Sequence, residues 1–351
     1  MLKDKKDEVL SFQDAVQHVR HLKERIGELI FGQEDLITEV ICCLLASGHV
    51  LITGAPGLAK TTLVRVVARN LGLDFGRIQF TPDLLPSDIT GCEVLNVDPE
   101  TQRRSFMFSP GPVFGNFILA DEINRASPRT QSALLEAMQE KKVTIAGKDY
   151  GLPDPFMVFA TQNPFESEGT FPLPEAQLDR FLLHAFMSYP QDHAEFQILR
   201  EHASNSLVGE MKDLGDSPKE ILSPTTVTGI ISRTSQVSVS DEILMAIKEL
   251  VRSTRPGDPN CPPEIARSLW YGAGPRAGIS LVSVCRGLAL MEGFEHVAWQ
   301  HIQRLAKPVL RHRLRLTLAA SRDRLSVDAV IEQLLSRLEE RHSNLAQGIG
   351  T

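Results

Sequence analysis

With 351 residues, the chain is long enough for about two domains and buries enough surface to need no disulfide or metal support. Its composition, 42% hydrophobic and 23% charged, is that of a globular protein and excludes a disordered or collagen-like chain. A net charge of -7 gives no overall attraction to nucleic acid or anionic membrane, and 6% aromatics leave few rings for stacking on single-stranded bases.

At the start, Met1 to Glu8 alternates charge with no apolar stretch behind it, so a signal peptide is not expected. Cys42, Cys43, Cys92, Cys261 and Cys285 are odd in number and form no CxxC pair. That argues against a disulfide framework or a zinc site and for a reducing compartment, with Cys42 and Cys43 in the core of a helix. Between Glu39 and Lys60 lie 20 residues without Asp, Glu, Lys or Arg, the length of a membrane helix. His49 and the glycines and proline from Gly48 to Gly57 divide that stretch into a helix end, a strand and a loop, so a membrane span is a poor reading.

Up to about residue 190, short apolar runs alternate with helical patterns. The runs are His49–Thr53, Arg77–Phe80, Asn116–Ala120 and Met157–Thr161, and helices are expected over Thr61–Leu71 and Pro128–Glu140. Ser127 caps the second helix and Pro128 opens it. The alternation predicts an α/β domain with a mainly parallel sheet. Two hairpins interrupt it, near 93–108 with a turn at Asp98-Pro99, and near 143–152. After Pro190 the pattern changes to a helix at His193–His202 and a Ser/Gly/Thr-rich connector. An all-α region then runs from Asp241, with helices over Ala277–Glu292, Trp299–Leu310 and Val327–Arg341. The expected division is 1–195, an α/β domain; 196–240, a connector with short helices; and 241–351, an α-helical domain.

Gly54-Ala-Pro-Gly-Leu-Ala-Lys60-Thr61 follows the first strand and opens a helix, the context in which a phosphate loop is meaningful. Backbone N–H groups of Gly54, Ala55, Pro56's neighbours, Gly57, Leu58 and Ala59, with the helix N-terminus behind them, would cradle phosphate oxygens. Lys60 adds a point charge, and the Thr61 hydroxyl is placed for Mg²⁺. Ala59 stands where the usual pattern has Gly.

Phe117-Ile-Leu-Ala-Asp121-Glu122 is an apolar run ending in two carboxylates, which a parallel sheet would deliver to the same crevice. Asp121 suits the Mg²⁺ shell and Glu122 the role of general base toward water. Asn163, at the end of the next strand, could hold that water. Arg180, in Leu178-Asp-Arg-Phe181, could stabilise charge on a transferring phosphoryl group, with a surface ion pair as the alternative. Arg276 opens a later helix, from which it could reach back to the nucleotide, or simply stand exposed.

Taken in order, these segments resemble the AAA+ ATPases and, more closely, the MoxR family, over about residues 10–345. The family also carries Ala before the loop lysine. Asp121-Glu-Ile-Asn-Arg-Ala126 is similar to its second box, followed by Thr130-Gln-Ser-Ala-Leu-Leu-Glu-Ala-Met138. Phe159-Ala-Thr-Gln-Asn-Pro164 resembles sensor 1, and Glu175-Ala-Gln-Leu-Asp-Arg-Phe181 the arginine-finger segment. Gly274-Pro-Arg-Ala277 resembles sensor 2, with Gly274 where the family usually has Ser, and Val309-Leu-Arg-His-Arg-Leu314 a motif late in the lid. The resemblance implies phosphate and Mg²⁺ binding by Gly54, Gly57, Lys60, Thr61 and Thr62, with Asp121 and Glu122 as the Walker B pair. It also implies an adenine-side segment at Phe31-Gly32-Gln33, and Arg180 acting on the ATP of a neighbouring subunit in a ring, most often a hexamer. The two hairpins resemble this clade's inserts, and Arg276 acts in cis or in trans.

The function so implied is a cytoplasmic Mg²⁺-dependent ATPase with a chaperone-like role, remodelling client proteins or inserting a metal or cofactor into them. The usual partner is a protein with a von Willebrand factor A domain. Two alternatives are a nucleic-acid-dependent motor and a nucleotide-gated scaffold with little turnover. The basic run Arg304, Lys307, Arg311, His312, Arg313, Arg315, Arg322 and Arg324 is read as a solvated lid face or a subunit contact rather than a nucleic-acid surface. No metal beyond Mg²⁺ is expected, because the ten His show no ligand spacing.

Overall fold

The computed structural model describes residues 10–341 except 56, 98, 100–101, 165–168 and 204–221. Pro56, the Asp98 turn, the first nine residues and much of the expected connector lie outside the described residues.

Helices α1 (Phe12–Gly27) and α2 (Glu34–Leu45) precede the first strand. The Ser11 side chain caps α1 by accepting from the Asp14 backbone N–H. α2 is buried on nearly every side, Cys42 and Cys43 included, which explains the charge-free sequence that follows Glu39. Strand β1 (Val50–Gly54), helix α3 (Lys60–Asn70), β2 (Phe75–Gln79) and the short α4 (Pro86–Thr90) come next. Strands β3 (Gly91–Val97) and β4 (Arg104–Pro110) pair antiparallel as a hairpin, before β5 (Phe117–Asp121) and α5 (Pro128–Glu140). A second hairpin, β6 (Lys142–Ile145) and β7 (Lys148–Gly151), leads to β8 (Met157–Gln162). The short α6 (Glu175–Leu178), β9 (Leu183–Met187) and α7 (Asp192–Ala203) complete this part.

The central sheet has the order β2-β5-β8-β1-β9, and every pairing in it is parallel. Parallel strands need both faces covered, and two apolar clusters do this. One face carries Leu51, Ile118, Ala120, Leu134 and Phe181. The other packs Val50, Ile52, Phe117 and Phe159 against α1, α2 and α3, and runs on without a break into the helices after residue 222. β9 is the one sheet strand that the apolar runs do not reveal. His184 sits within it, and Phe186 is exposed at the sheet edge.

Beyond residue 222 come the helices Pro224–Ser235, Asp241–Ser253, Pro275–Glu292, Trp299–Leu310 and Val327–Arg341. The region expected to be all-α from Asp241 is not wholly helical: Leu269–Tyr271 and Arg315–Leu316 pair as a small antiparallel ribbon. The longest helix, Pro275–Glu292, docks on α2 through Gly287, where a Cβ would meet the Cys42 carbonyl at 3.1 Å and Leu45 Cβ at 3.3 Å. Such close backbone approach needs a residue with no side chain. No described helix is long and apolar enough to cross a membrane.

Candidate functional site

Parallel strands bring their C-terminal ends to one edge of the sheet, and four predicted features meet there. Gly54 ends β1, and its neighbour β9 lies so close that a Cβ on it would sit 2.7 Å from the Met187 carbonyl. Gly57 (φ 81°) and Ala59 (φ 62°) both adopt the left-handed conformation that curls the loop back over the strand. Ala tolerates that region at a cost, and Ala59 is the N-cap of α3 with no side chain capping the helix. The first turn of α3, from Lys60 to Thr62, carries the positive end of the helix dipole toward the loop. Lys60 Nζ donates to the Gly54 carbonyl at 2.8 Å, folding its charge over the loop. These features fit a bound phosphate chain.

Two strands away, Asp121 ends β5 and Glu122 follows it with φ 57°. A single buried hydroxyl joins the pair. Thr161 Oγ1 donates to Asp121 Oδ1 at 2.7 Å and accepts the Glu122 backbone N–H at 2.9 Å. From β2, Arg77 pairs with Asp121 Oδ2 at 2.7 Å, and Gln79 Nε2 donates to Glu122 Oε2 at 3.0 Å. Arg125 lies 3.2 Å from the same Glu122 oxygen. Asp121 and Thr61 supply the hard oxygen donors that Mg²⁺ takes. Asn163 follows the end of β8 and is buried, on the same edge. Gly32 and Gln33 reach this edge too. Gln33 Nε2 donates to the Ser188 carbonyl at 2.8 Å, just past β9. A Cβ on Gly32 (φ 70°) would strike Ala194 Cβ at 2.8 Å.

Sequence reasoning missed Thr161, Arg77 and Gln79. The register would have found them: Gln79 lies opposite Asp121, and Ala160 opposite Ala120 puts Thr161 beside it.

The two arginines are elsewhere. In the β1–β9 register Val50 lies beside Leu183 and Gly54 beside Met187, so the residues leading into β9 are at the N-terminal edge. Four steps at about 3.3 Å put roughly 13 Å of strand between the two edges. Arg180 precedes β9 by three residues, and Arg276 NH1 lies 3.4 Å from Asp179 Oδ2. Both line a cleft of about 230 Å³ with His49, Asp179, Ile279 and Arg313. Arg276 thus stands beside Asp179 and Arg180 in this structure, on the opposite sheet edge from its own phosphate loop. Arg180 has no ion pair among the described residues, so the alternative of a surface pair with Asp179 or Glu175 falls.

The middle of the basic run differs from its reading as a solvated face, while Arg304, Arg315, Arg322 and Arg324 are exposed. Arg311 and Arg313 keep only 10% and 3% of their side chains exposed, because the turn Arg311–Arg313 folds inward along edge strand β9. Arg311 donates to the His184 carbonyl at 2.9 Å and stacks 4.2 Å from the centre of Phe186. His312 Nε2 lies 3.1 Å from the Phe181 carbonyl. Behind this turn, His184 meets Thr53 of β1 at 2.8 Å, and burial together with Arg311 pushes its pKa down to about 4.

Comparisons with known proteins show the family and the fold. Residues 49–183 match the model of the ATPase family associated with various cellular activities (AAA), and 265–334 that of the AAA lid domain. Chaperone MoxR1 of Mycobacterium tuberculosis is 39% identical over 88% of this chain and 79% of its own length. Protein MoxR of Paracoccus denitrificans is 30% identical over 85% of this chain and 88% of its own. The chain belongs to the MoxR family. As a MoxR-family protein it is an ATPase with an α/β P-loop domain and a helical lid. A solved structure from Cytophaga hutchinsonii, 36% identical, superposes with a TM-score of 0.80 over 93% of this chain and 95% of that one.

Proposed function

We propose that this chain hydrolyses ATP with Mg²⁺ at sites shared between adjacent copies in a ring, most simply a hexamer. The observation that carries the reading is the separation of the two halves of the site. The phosphate loop, Asp121, Glu122 and Asn163 stand at one sheet edge, and Arg180 and Arg276 at the other. With the sheet between each arginine and its own subunit's phosphate loop, a neighbour placed head to tail would bring the two halves together.

In that arrangement Lys60 and the loop N–H groups bind the β- and γ-phosphates, and Thr61 and Asp121 hold the metal. Mg²⁺ supplies charge neutralisation on the phosphate oxygens. Glu122 accepts a proton from water as its oxygen bonds to the γ-phosphorus and the bond to the bridging oxygen breaks. Asn163 orients that water. A neighbouring copy's Arg180 and Arg276 offset the charge of the transferring group, so Arg276 acts in trans. Gly32 and Gln33 border the adenine.

The client role rests on the MoxR relatives and on one surface. In the first hairpin Val94 opposite Met107 and Leu95 opposite Phe106 expose apolar side chains on both faces, surface suited to protein rather than nucleic acid. We assign the cycle to remodelling, or metal or cofactor insertion, in client proteins of the cytoplasm, with a von Willebrand factor A domain protein as partner. The inward-facing Arg311 and Arg313 remove part of what a nucleic-acid motor would use.

The test is the ATPase rate per subunit as a function of protein concentration, with Arg180→Ala alongside. The rate should rise with concentration and fall by about 10³-fold in the variant. A rate independent of both sinks the shared site.

A further inference from the structure

The proposed mechanism leaves the motif Val309–Leu314 without a task. We propose that Arg313 within it is a positioning residue, which fixes the geometry of the two arginines offered to the neighbouring copy. The inference rests on the shared-site reading and adds to it a device for setting the trans-acting groups.

A guanidinium has five N–H donors, and those of Arg313 are all used. Nε donates to Asp179 Oδ1 at 2.8 Å. NH1 donates to the carbonyls of Val309 at 2.5 Å and Leu182 at 3.3 Å. NH2 donates to the Phe181 carbonyl at 2.8 Å and Ser280 Oγ at 3.1 Å. The side chain therefore has one available orientation. Burial works against its charge, and Asp179 is the carboxylate that holds it.

These contacts reach both arginine-bearing elements. Asp179, Phe181 and Leu182 flank Arg180 on its own segment, and Ser280 lies in the helix whose first turn carries Arg276. Asp179 divides its oxygens, Oδ1 to Arg313 and Oδ2 to Arg276 at 3.4 Å. Two residues on, Arg315 pairs with Glu175 at the start of α6. The segment 313–315 thus holds the arginine-bearing loop at both ends. The exposures divide the roles: Arg276 keeps 62% of its side chain open, Arg313 only 3%. An exposed cation can meet a partner's phosphate, whereas a fully bonded buried one can only hold its neighbours in place.

The test uses mixed rings of the full chain. Arg313→Gln should lower kcat by about 10²-fold, the usual cost of a small misplacement, with KM for ATP unchanged because the phosphate loop is at the other edge. Mixed with Glu122→Gln, which lacks the base but keeps its arginines, Arg313→Gln should regain turnover that neither variant shows alone. Asp179→Asn, at the accessible side of the pair, should behave the same way without removing the buried cation. The control is Arg180→Ala mixed with Glu122→Gln. If the control recovers and both the Arg313→Gln and Asp179→Asn mixtures stay inactive, these residues serve their own subunit's site or its folding, and the proposal is overturned. If the control stays inactive too, the shared-site reading has failed, and the proposal falls with it.

Discussion

The two edges of one sheet carry opposite kinds of site. At the C-terminal edge, backbone groups do the positioning. Strand ends, left-handed residues and a helix N-terminus come from contiguous segments of chain, and side chains such as Thr161 join them. At the N-terminal edge no segment suffices by itself, and Arg180, Asp179, Arg276 and Arg313 are assembled from three stretches up to 134 residues apart. The first edge offers backbone N–H groups by local geometry, and the second gathers arginine side chains by tertiary packing. On the proposed reading, an ATPase that divides them between copies has to build each to a tolerance the other cannot correct.

The sharpest way to break this comparison is to remove charge from each edge and read binding and turnover separately. Lys60→Ala should abolish both nucleotide binding and hydrolysis, measured by nucleotide titration and phosphate release. Glu122→Gln should keep binding and lose turnover by about 10³-fold. Retained cell-level function in Glu122→Gln but not in Lys60→Ala would favour a nucleotide-gated scaffold over an enzyme.

At the other edge Arg276→Ala should reduce kcat by about 10²-fold and leave nucleotide affinity of the isolated subunit intact. An equal loss of affinity in dilute protein would return Arg276 to its own subunit's nucleotide and undo the division of the sheet into two half-sites.

A smaller effect sharpens the description of the first edge. Thr161 joins Asp121 to Glu122 by accepting from the backbone of one and donating to the carboxylate of the other. Thr161→Val keeps the shape and removes both bonds, leaving a buried N–H without a partner. We expect about a tenfold fall in kcat, with a stability loss of about 1–2 kcal/mol in denaturant titration. An unchanged rate would show that Asp121 and Glu122 are aligned by β2's Arg77 and Gln79 instead.

How much of this was legible in the sequence follows from the same contrast. The loop Gly54–Thr61, the Asp121-Glu122 strand end and Asn163 are contiguous patterns whose spacing implies their geometry, and the structure brings them to one edge. The residues that align them belong to neighbouring strands, so Arg77, Gln79 and Thr161 become visible only through sheet register. β9 escaped because an edge strand interrupted by a histidine has no continuous apolar run. The basic run misled for a related reason. Charge pattern alone cannot tell a solvated arginine from one whose donors are all met by carbonyls of a distant strand, as at Arg313.

The histidines between the edges allow the mildest perturbation. His184 bridges Thr53, which precedes the phosphate loop, and the Arg311–Arg313 turn. Burial first, then Arg311, pushes its pKa down to about 4 from the ordinary 6.5. Burial does the same to His49, also to about 4, and to His312, whose ring lies 5.9 Å from that of His184. Below pH 6.5 the unfolded chain takes up protons at these rings that the folded chain refuses, so stability falls as pH drops toward 4. For one such ring the loss at pH 5 is about 2 kcal/mol. Glu39, whose carboxyl burial pushes up to about 7, acts in the opposite sense, since its folded form holds a proton that the unfolded chain releases above pH 4.5. Three rings outweigh one carboxyl, so the melting temperature should decline from pH 6.5 to 5, and His184→Gln should flatten that decline by about one ring's share. The variant also separates the edges. Because it cuts the link between Thr53 and the clamp on β9, a change in ATP affinity with kcat preserved would place the effect at the loop, whereas a change in kcat alone would place it at the arginines.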